Sequence, residues 1–278
     1  MFRIINYCFG FILIFLFILE GMAADHIRIL LGLILAGIIA CAAFILNRIS
    51  LDALKAAILA GTFAFGLGGF QVATALVLFF VTSVLLSDLP GKVADPHGER
   101  PEDHNKRRTG YQILANSFWM MFFLIFWFVT GVQSFLIAAI AAVAASNSDT
   151  WATEIGQRNS GKTKDILTMK EVPPGEDGGV SSKGLAAALA GSFLIGLSIL
   201  AGSAESPGGM ILIAGISGFA GCLSDSILGA WLKNREDRFK IPGDFSGTPL
   251  QFLNNLTNWT ATGIAGIIAL IFTQIFIG

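Results

Sequence analysis

The stretch Ile29-Leu-Leu-Gly-Leu-Ile-Leu-Ala-Gly-Ile-Ile-Ala-Cys-Ala-Ala-Phe-Ile-Leu46 contains no charged, amide or hydroxyl side chain. Its length falls in the range that crosses a hydrocarbon core of about 30 Å. Lipid offers no partner to backbone N–H and C=O groups, so such a run must be a helix. Working outward, further apolar runs, some shorter and some longer, lie at 7–19, 53–69, 70–86, 113–129, 134–148, 184–201, 209–232 and 254–278. The composition agrees with this reading. Of 278 residues, 54% are hydrophobic and only 13% charged, whereas a water-soluble domain carries about 25% charged residues. The expected fold class is therefore an all-α, polytopic membrane helix bundle of about nine transmembrane helices. A formal net charge of −1 leaves no global excess to attract nucleic acid, so any electrostatics must be local. Cys8, Cys41 and Cys222 are odd in number and lie in apolar runs, which suits helix packing and offers no disulfide framework.

Basic residues near span ends mark the cytoplasmic side. With the N-terminus cytoplasmic, every Lys and Arg except Arg28 falls on that side. The opposite connections, 20–28, 130–133 and 202–208, are short and nearly free of positive charge. One step is fragile: Gly66, Gly68 and Gly69 are the only break between residues 53 and 86, and a continuous helix there would move Arg48 and Lys55 outside. Arg3, the apolar run at 7–19 and the small residues Gly21, Ala23 and Ala24 also fit a cleavable signal peptide. The polar stretches 87–110, 157–183 and 233–249 are each too short to bury a core of their own. The organisation expected is a single integral membrane domain over 1–278, with two N-terminal membrane segments in 1–52 and a catalytic bundle in 53–278. Its setting is the inner membrane of the cell, with the active face cytoplasmic.

Five polar groups interrupt the apolar pattern. Ser146-Asn-Ser-Asp149-Thr-Trp-Ala-Thr-Glu154-Ile-Gly156 closes the sixth run. Carboxylates at membrane depth are costly, and by default they propose a function. On an unbroken helix, Asp149 and Glu154 point roughly 140° apart, so either the helix unwinds or the two acids serve different partners; a frayed, solvated helix end is the plainer alternative. Lys170-Glu-Val-Pro-Pro-Gly175-Glu-Asp177-Gly178-Gly179-Val-Ser181 leads directly into the seventh run. Glycines that turn backbone N–H groups inward, followed by a helix N-terminus, suit phosphate, and Asp177 beside such a cradle suggests a divalent cation. A plain helix-start loop with Ser181 as cap would also explain this stretch. In the run holding Asp225-Ser226, positions 218, 221, 222, 225 and 229 recur at helical spacing, so Asp225 projects from a face otherwise made of Gly218, Gly221, Cys222 and Gly229. Small residues there permit close helix approach, but the acid needs a cation or a donor. Asn254, Asn255 and Asn258 begin the ninth run, and Arg108, Gln112 and Asn116 follow at i, i+4, i+8 as the fifth begins. Carboxamides often serve only to bind neighbouring helices. All five groups nevertheless fall at cytoplasmic span ends in a topology derived from Lys and Arg alone.

Gly156-Gln-Arg-Asn-Ser-Gly161-Lys162-Thr163 matches the P-loop pattern. The motif needs a strand leading in and a helix starting at the lysine. Here a membrane helix leads in and Pro173-Pro174 follow closely, so the match reads as a decoy.

Taken together, Asp149 to Gly156, Lys170 to Ser181 and Gly218 to Gly229, with Arg108 to Asn116 and the three asparagines, resemble the integral membrane family that includes transmembrane protein 19 and the plant phytyl-phosphate kinase. The resemblance implies an all-helical membrane fold and, in the plant branch, CTP-dependent phosphorylation of an isoprenyl monophosphate. On that basis Mg²⁺ is the expected cofactor, held by Asp149, Asp177 and Asp225 with Glu154 in support. CTP is the co-substrate. Lys170 and Arg108 would neutralise phosphates, Gly175, Gly178, Gly179 and Ser181 would present donors, and Gln112, Asn116, Ser226, Asn254, Asn255 and Asn258 would complete the binding surface. An attacking phosphate is already anionic, so no general base is required, and His26, His97 and His104 all lie outside these groups. Competing readings are a CTP-using lipid-phosphate cytidylyltransferase and a carrier without catalytic activity. A carrier should hold its acids near the midplane.

Overall fold

The computed structural model describes residues 2–19, 21–90, 107–158, 162–202, 207–233 and 249–277. Within them run nine helices: α1 (Phe2–Leu19), α2 (Ala23–Ile45), α3 (Leu51–Gly66), α4 (Gly69–Ser87), α5 (Gly110–Thr130), α6 (Gln133–Arg158), α7 (Ser182–Gly196), α8 (Pro207–Leu232) and α9 (Pro249–Phe276). A 3₁₀ turn, Leu197–Ala201, extends α7, and a two-stranded antiparallel ribbon, β1 (Lys164–Asp165) with β2 (Gly179–Val180), lies between α6 and α7. Seven helices are long and apolar enough to cross a bilayer; α1 and α3 are shorter. The chain is an all-α polytopic membrane bundle.

The glycine break between α3 and α4 is real. Gly69 adopts φ +64°, a left-handed conformation that glycine takes at little cost, and α4 starts there. Elsewhere the helices run past the apolar boundaries. α6 continues ten residues beyond Ser148 to Arg158, and α9 begins at Pro249 rather than Asn254. Hydropathy stops where polar side chains begin, but these polar side chains face a cavity rather than lipid, so the helices need not end.

α6 is the axis of the bundle. Leu136 through Ser148 are all buried, and α4, α5, α7, α8 and α9 pack around them. In lipid the hydrophobic effect does not drive helices together, so association rests on close van der Waals packing. Alanines fill α6, and the facing helices meet it with glycines: a Cβ added at Gly218 would lie 2.5 Å from Ala144 Cβ, and one at Gly221 2.8 Å from Ala145 Cβ. α2 and α3 form an antiparallel hairpin in which Gly32 faces Gly66 and Gly61 faces Ala36.

The helix ends sort into two sets. At one end, Ile49 bridges to Arg108, Asp52 accepts from the Gly110 N–H at 2.7 Å, and Arg48 pairs with Asp88 at 2.6 and 2.7 Å. There too Arg158 donates to the Leu89 carbonyl. At the other end Gln71 donates to the Ile199 carbonyl at 3.0 Å. The basic residues Arg48, Arg108 and Arg158 thus share one rim, as the charge distribution along the sequence requires.

Candidate functional site

Two cavities open from that rim. One, about 640 Å³, is lined mainly by apolar residues of α2, α3 and α4 and ends at Arg108, Gln112, Asn116, Asp149, Asn254, Asn255 and Asn258. The other, about 480 Å³, is polar; the Pro174–Ser181 loop, the end of α6, α8 and the start of α9 line it. Four of the residues singled out from sequence, Gln112, Asp149, Asn254 and Asn258, line both cavities. They form the wall where the two chambers meet.

Asp149 and Asp225 face each other in direct side-chain contact across the α6–α8 packing. Thr257 of α9, which the sequence reading missed, stands beside Asp225. Asp225 Oδ1 is buried and has no hydrogen-bond partner. Two carboxyl groups in contact require a proton or a cation between them, and a buried orphan oxygen asks for the same. Asp177 lines the polar chamber from the loop side, close enough for its charge to act on Asp225. Among the described residues no three His, Cys, Asp or Glu side chains close on a single point. The donor set is thus two carboxylates with a third across the chamber. That suits Mg²⁺, which keeps several waters and is held by one or two carboxylates plus substrate phosphates.

Glu154 lies apart from this pair. α6 does not unwind, so the two acids diverge, and Glu154 takes Arg158 at 2.8 Å while its charge also reaches Arg108. Arg108 donates to Ser83 Oγ and lies 5.6 Å from the Phe79 ring centroid. Burial pulls its guanidinium below the ordinary value, and Glu154 opposes that shift. The result is a cation held at the polar head of an apolar chamber. Gln112 closes a capping box with Thr109 at the start of α5. Asn116 donates to the Gln112 carbonyl at 2.8 Å and Asn258 to the Asn254 carbonyl at 2.9 Å.

The 162–181 loop is fastened at both ends. Asp165 is buried and accepts from Leu167 N–H, Thr168 N–H and Thr168 Oγ1 at 3.1, 2.8 and 3.0 Å. The Thr168 N–H, more than any other group, holds this carboxyl below the usual carboxylate range. Because the native value is lowered, the turn contributes stability that is fully present above the unfolded value of about 3.9 and is lost as pH falls through the lower native value. Proteolysis across a pH series should therefore find this loop protected at neutral and mildly acidic pH and open only in strong acid; Asp165→Ala should remove the protection at all pH values. At the other end Glu176 pairs with Lys233 at the end of α8, and Gly178, at φ +77°, packs so tightly on α8 that an added Cβ would lie 2.3 Å from Ala230 Cβ. This docking turns Gly175, Gly178 and Gly179 toward the polar chamber. Ser181 caps α7, accepting from the Gly184 N–H at 3.1 Å, and Ser226 lines the chamber from α8.

Lys170 is exposed in the loop between β1 and β2 and lines neither chamber. Lys162 is exposed and pairs with Glu171 at 3.1 Å. Residues 159–161 of the P-loop match lie outside the described residues, as does the whole stretch 91–106 with His97 and His104. What flanks the match is a helix before and a ribbon after, the reverse of a P-loop.

A family model described as integral membrane protein DUF92 matches residues 34–266. The chain is 31% identical over 169 residues to an uncharacterized membrane protein, MJ0933, of Methanocaldococcus jannaschii, covering 60% of this chain and 67% of that one. It is 30% identical over 237 residues to Protein PGR of Arabidopsis thaliana, covering 76% and 81%. No solved structure matches.

Proposed function

The chain belongs to the DUF92 family of integral membrane proteins, and from that premise we propose that it is a membrane enzyme that phosphorylates an isoprenyl monophosphate at the cytoplasmic rim, with CTP or another nucleoside triphosphate as donor and Mg²⁺ as cofactor. One observation carries this reading: an apolar chamber and a polar chamber share the wall formed by Gln112, Asp149, Asn254 and Asn258. An amphiphile with a long hydrocarbon tail and an anionic head fits the first, and a polyphosphate fits the second.

In the reaction, an oxygen of the lipid monophosphate attacks the γ-phosphorus. The bond from that phosphorus to the β–γ bridging oxygen breaks, and the nucleoside diphosphate leaves with the electron pair. Such transfers need mostly positioning and charge neutralisation. Arg108 holds the acceptor's head at the mouth of its chamber. The Gly175–Gly179 backbone and Ser226 cradle the donor phosphates from above, and Asn254 and Asn258 reach both partners. Asp149 and Asp225, with Asp177 facing them, would hold Mg²⁺, which would supply positive charge against the phosphates there. No base is assigned, because a phosphate nucleophile carries its own negative charge near pH 7.

Purified protein in vesicles, given γ-labelled CTP and phytyl or geranylgeranyl monophosphate, is expected to yield the labelled lipid diphosphate and CDP. Release of pyrophosphate with a cytidylyl-lipid would transfer the same site to a cytidylyltransferase, and absence of any nucleotide turnover across several lipid phosphates would reject the enzyme reading. In the same assay Lys162→Ala should leave turnover within about twofold, since an exposed ion pair contributes little; a loss of 10²-fold or more, the size expected for removing a phosphate-stabilising group, would revive the P-loop.

A further inference from the structure

The apolar chamber is not closed on all sides. It extends from Arg108 and Asn258 at the rim to Gly32, Phe65 and Phe70 near the other end, about 15 Å along α4 from Phe80 to Phe70. Its α3 wall is sealed: Ala60 and Ala64 are buried, and Ala57, Gly61 and Phe65 are partly so. Its exposed apolar lining residues are Leu35 and Ile39 on α2 and Phe70 and Val77 on α4. These recur at helical spacing on one face of each helix. α2 and α4 each lean on α3 but make next to no contact with one another. What joins them is the Arg48–Asp88 ion pair at the rim.

We propose that the gap between α2 and α4 is a lateral portal through which the prenyl tail of an anionic lipid enters the chamber from the bilayer, beneath the Arg48–Asp88 pair. This rests on the lipid-phosphate reading above and adds the route. The occupant follows from complementarity: between Phe70 and Val77 the gap is lined by apolar side chains apart from Thr74, matches hydrocarbon and ends at the half-buried cation Arg108. A tail already in the bilayer reaches the chamber by sliding sideways, without crossing water. The Arg48–Asp88 pair is solvent-exposed, and pairs of that kind contribute little. It can open for the head group to pass and close behind it.

The test uses the full chain in phospholipid vesicles with a prenyl monophosphate carrying a diazirine at the end of its tail. After irradiation, adducts are mapped by peptide mass spectrometry. The expected result is labelling at Leu35, Ile39, Phe70 and Val77, lost in Val77→Trp and retained in Ile38→Trp, whose side chain is exposed on α2 and lines neither chamber. Nucleotide binding by Val77→Trp, measured separately, reports that the polar chamber is intact. If Val77→Trp does not fold, the wild-type map still decides: adducts inside the chamber that skip α2 and α4 overturn the portal. Chamber labelling that persists at Ala60 or Phe79 in a folded Val77→Trp variant also overturns the portal while leaving the lipid acceptor standing. Absence of any chamber adduct in the wild type removes the lipid acceptor and the portal with it.

Discussion

Asp225→Asn, and separately Asp149→Asn, is expected to reduce nucleotide-dependent turnover by 10²-fold or more while the bundle stays folded. The two carboxyls are in contact, and Asp225 Oδ1 has no partner, so each asparagine removes negative charge from a site whose arrangement calls for a cation. Removing one electrostatic contact to a developing charge costs on the order of 10²–10³-fold. The fold should tolerate the change, because an amide is nearly isosteric with a carboxyl and replaces a carboxyl–carboxyl contact by one in which the amide can donate to the remaining acid; thermal unfolding in detergent should show a melting temperature equal to or above wild type. The Mg²⁺ dependence of the residual rate gives a second readout. If both variants turn over normally, the acids are packing residues and the metal assignment falls.

Gly178→Val is expected to be nearly as severe, by another route. At φ +77° a side chain with a Cβ costs roughly 1–2 kcal/mol, and a β-branched one more. The ideal Cβ position lies 2.3 Å from Ala230 Cβ and 2.7 Å from Ala230 Cα, and backbone on a packed helix cannot yield. The loop must lift off α8, taking Asp177 and the Gly175–Gly179 backbone away from the polar chamber. Nucleotide affinity, measured by equilibrium binding, should fall by an order of magnitude or more, while acceptor binding in the apolar chamber is preserved. A selective loss of the nucleotide arm is what separates this from general misfolding; loss of both would indicate collapse of the bundle.

Much of this architecture could be read from the chain. Apolar runs gave the helices because lipid permits nothing else, and Lys and Arg gave a common rim that the Arg48–Asp88 pair and the Arg158–Leu89 contact reproduce. Asp149, Asp177, Asp225, Asn254 and Asn258 were visible because polar atoms at membrane depth are rare. Other features carried no such mark. Thr257 looks like an ordinary helix threonine until α8 brings Asp225 beside it. The apolar chamber depends on Leu35, Ile39 and Val77, which are indistinguishable from lipid-facing residues in a list; only the failure of α2 and α4 to meet makes a cavity of them. For the same reason residues 1–52 read as an appendage to the bundle, whereas α2 walls the chamber and the family match begins inside it at residue 34. Lys170 and Glu154 stand apart: proximity in sequence to the polar groups suggested ligands, but one is exposed in the loop between β1 and β2 and the other is engaged by Arg158.

The brevity of α3 has a mechanical corollary. Sixteen residues reach about 24 Å, less than the hydrocarbon thickness of about 30 Å. Bilayers adapt to short segments by dimpling, at a fraction of a kcal/mol per Å of mismatch. For α3 the neighbouring helices answer instead: α1, α2, α4 and α5 pack against it and beyond Lys55 none of its residues is exposed, so a helix too short to reach both surfaces is accommodated within the bundle while its longer partners meet the lipid.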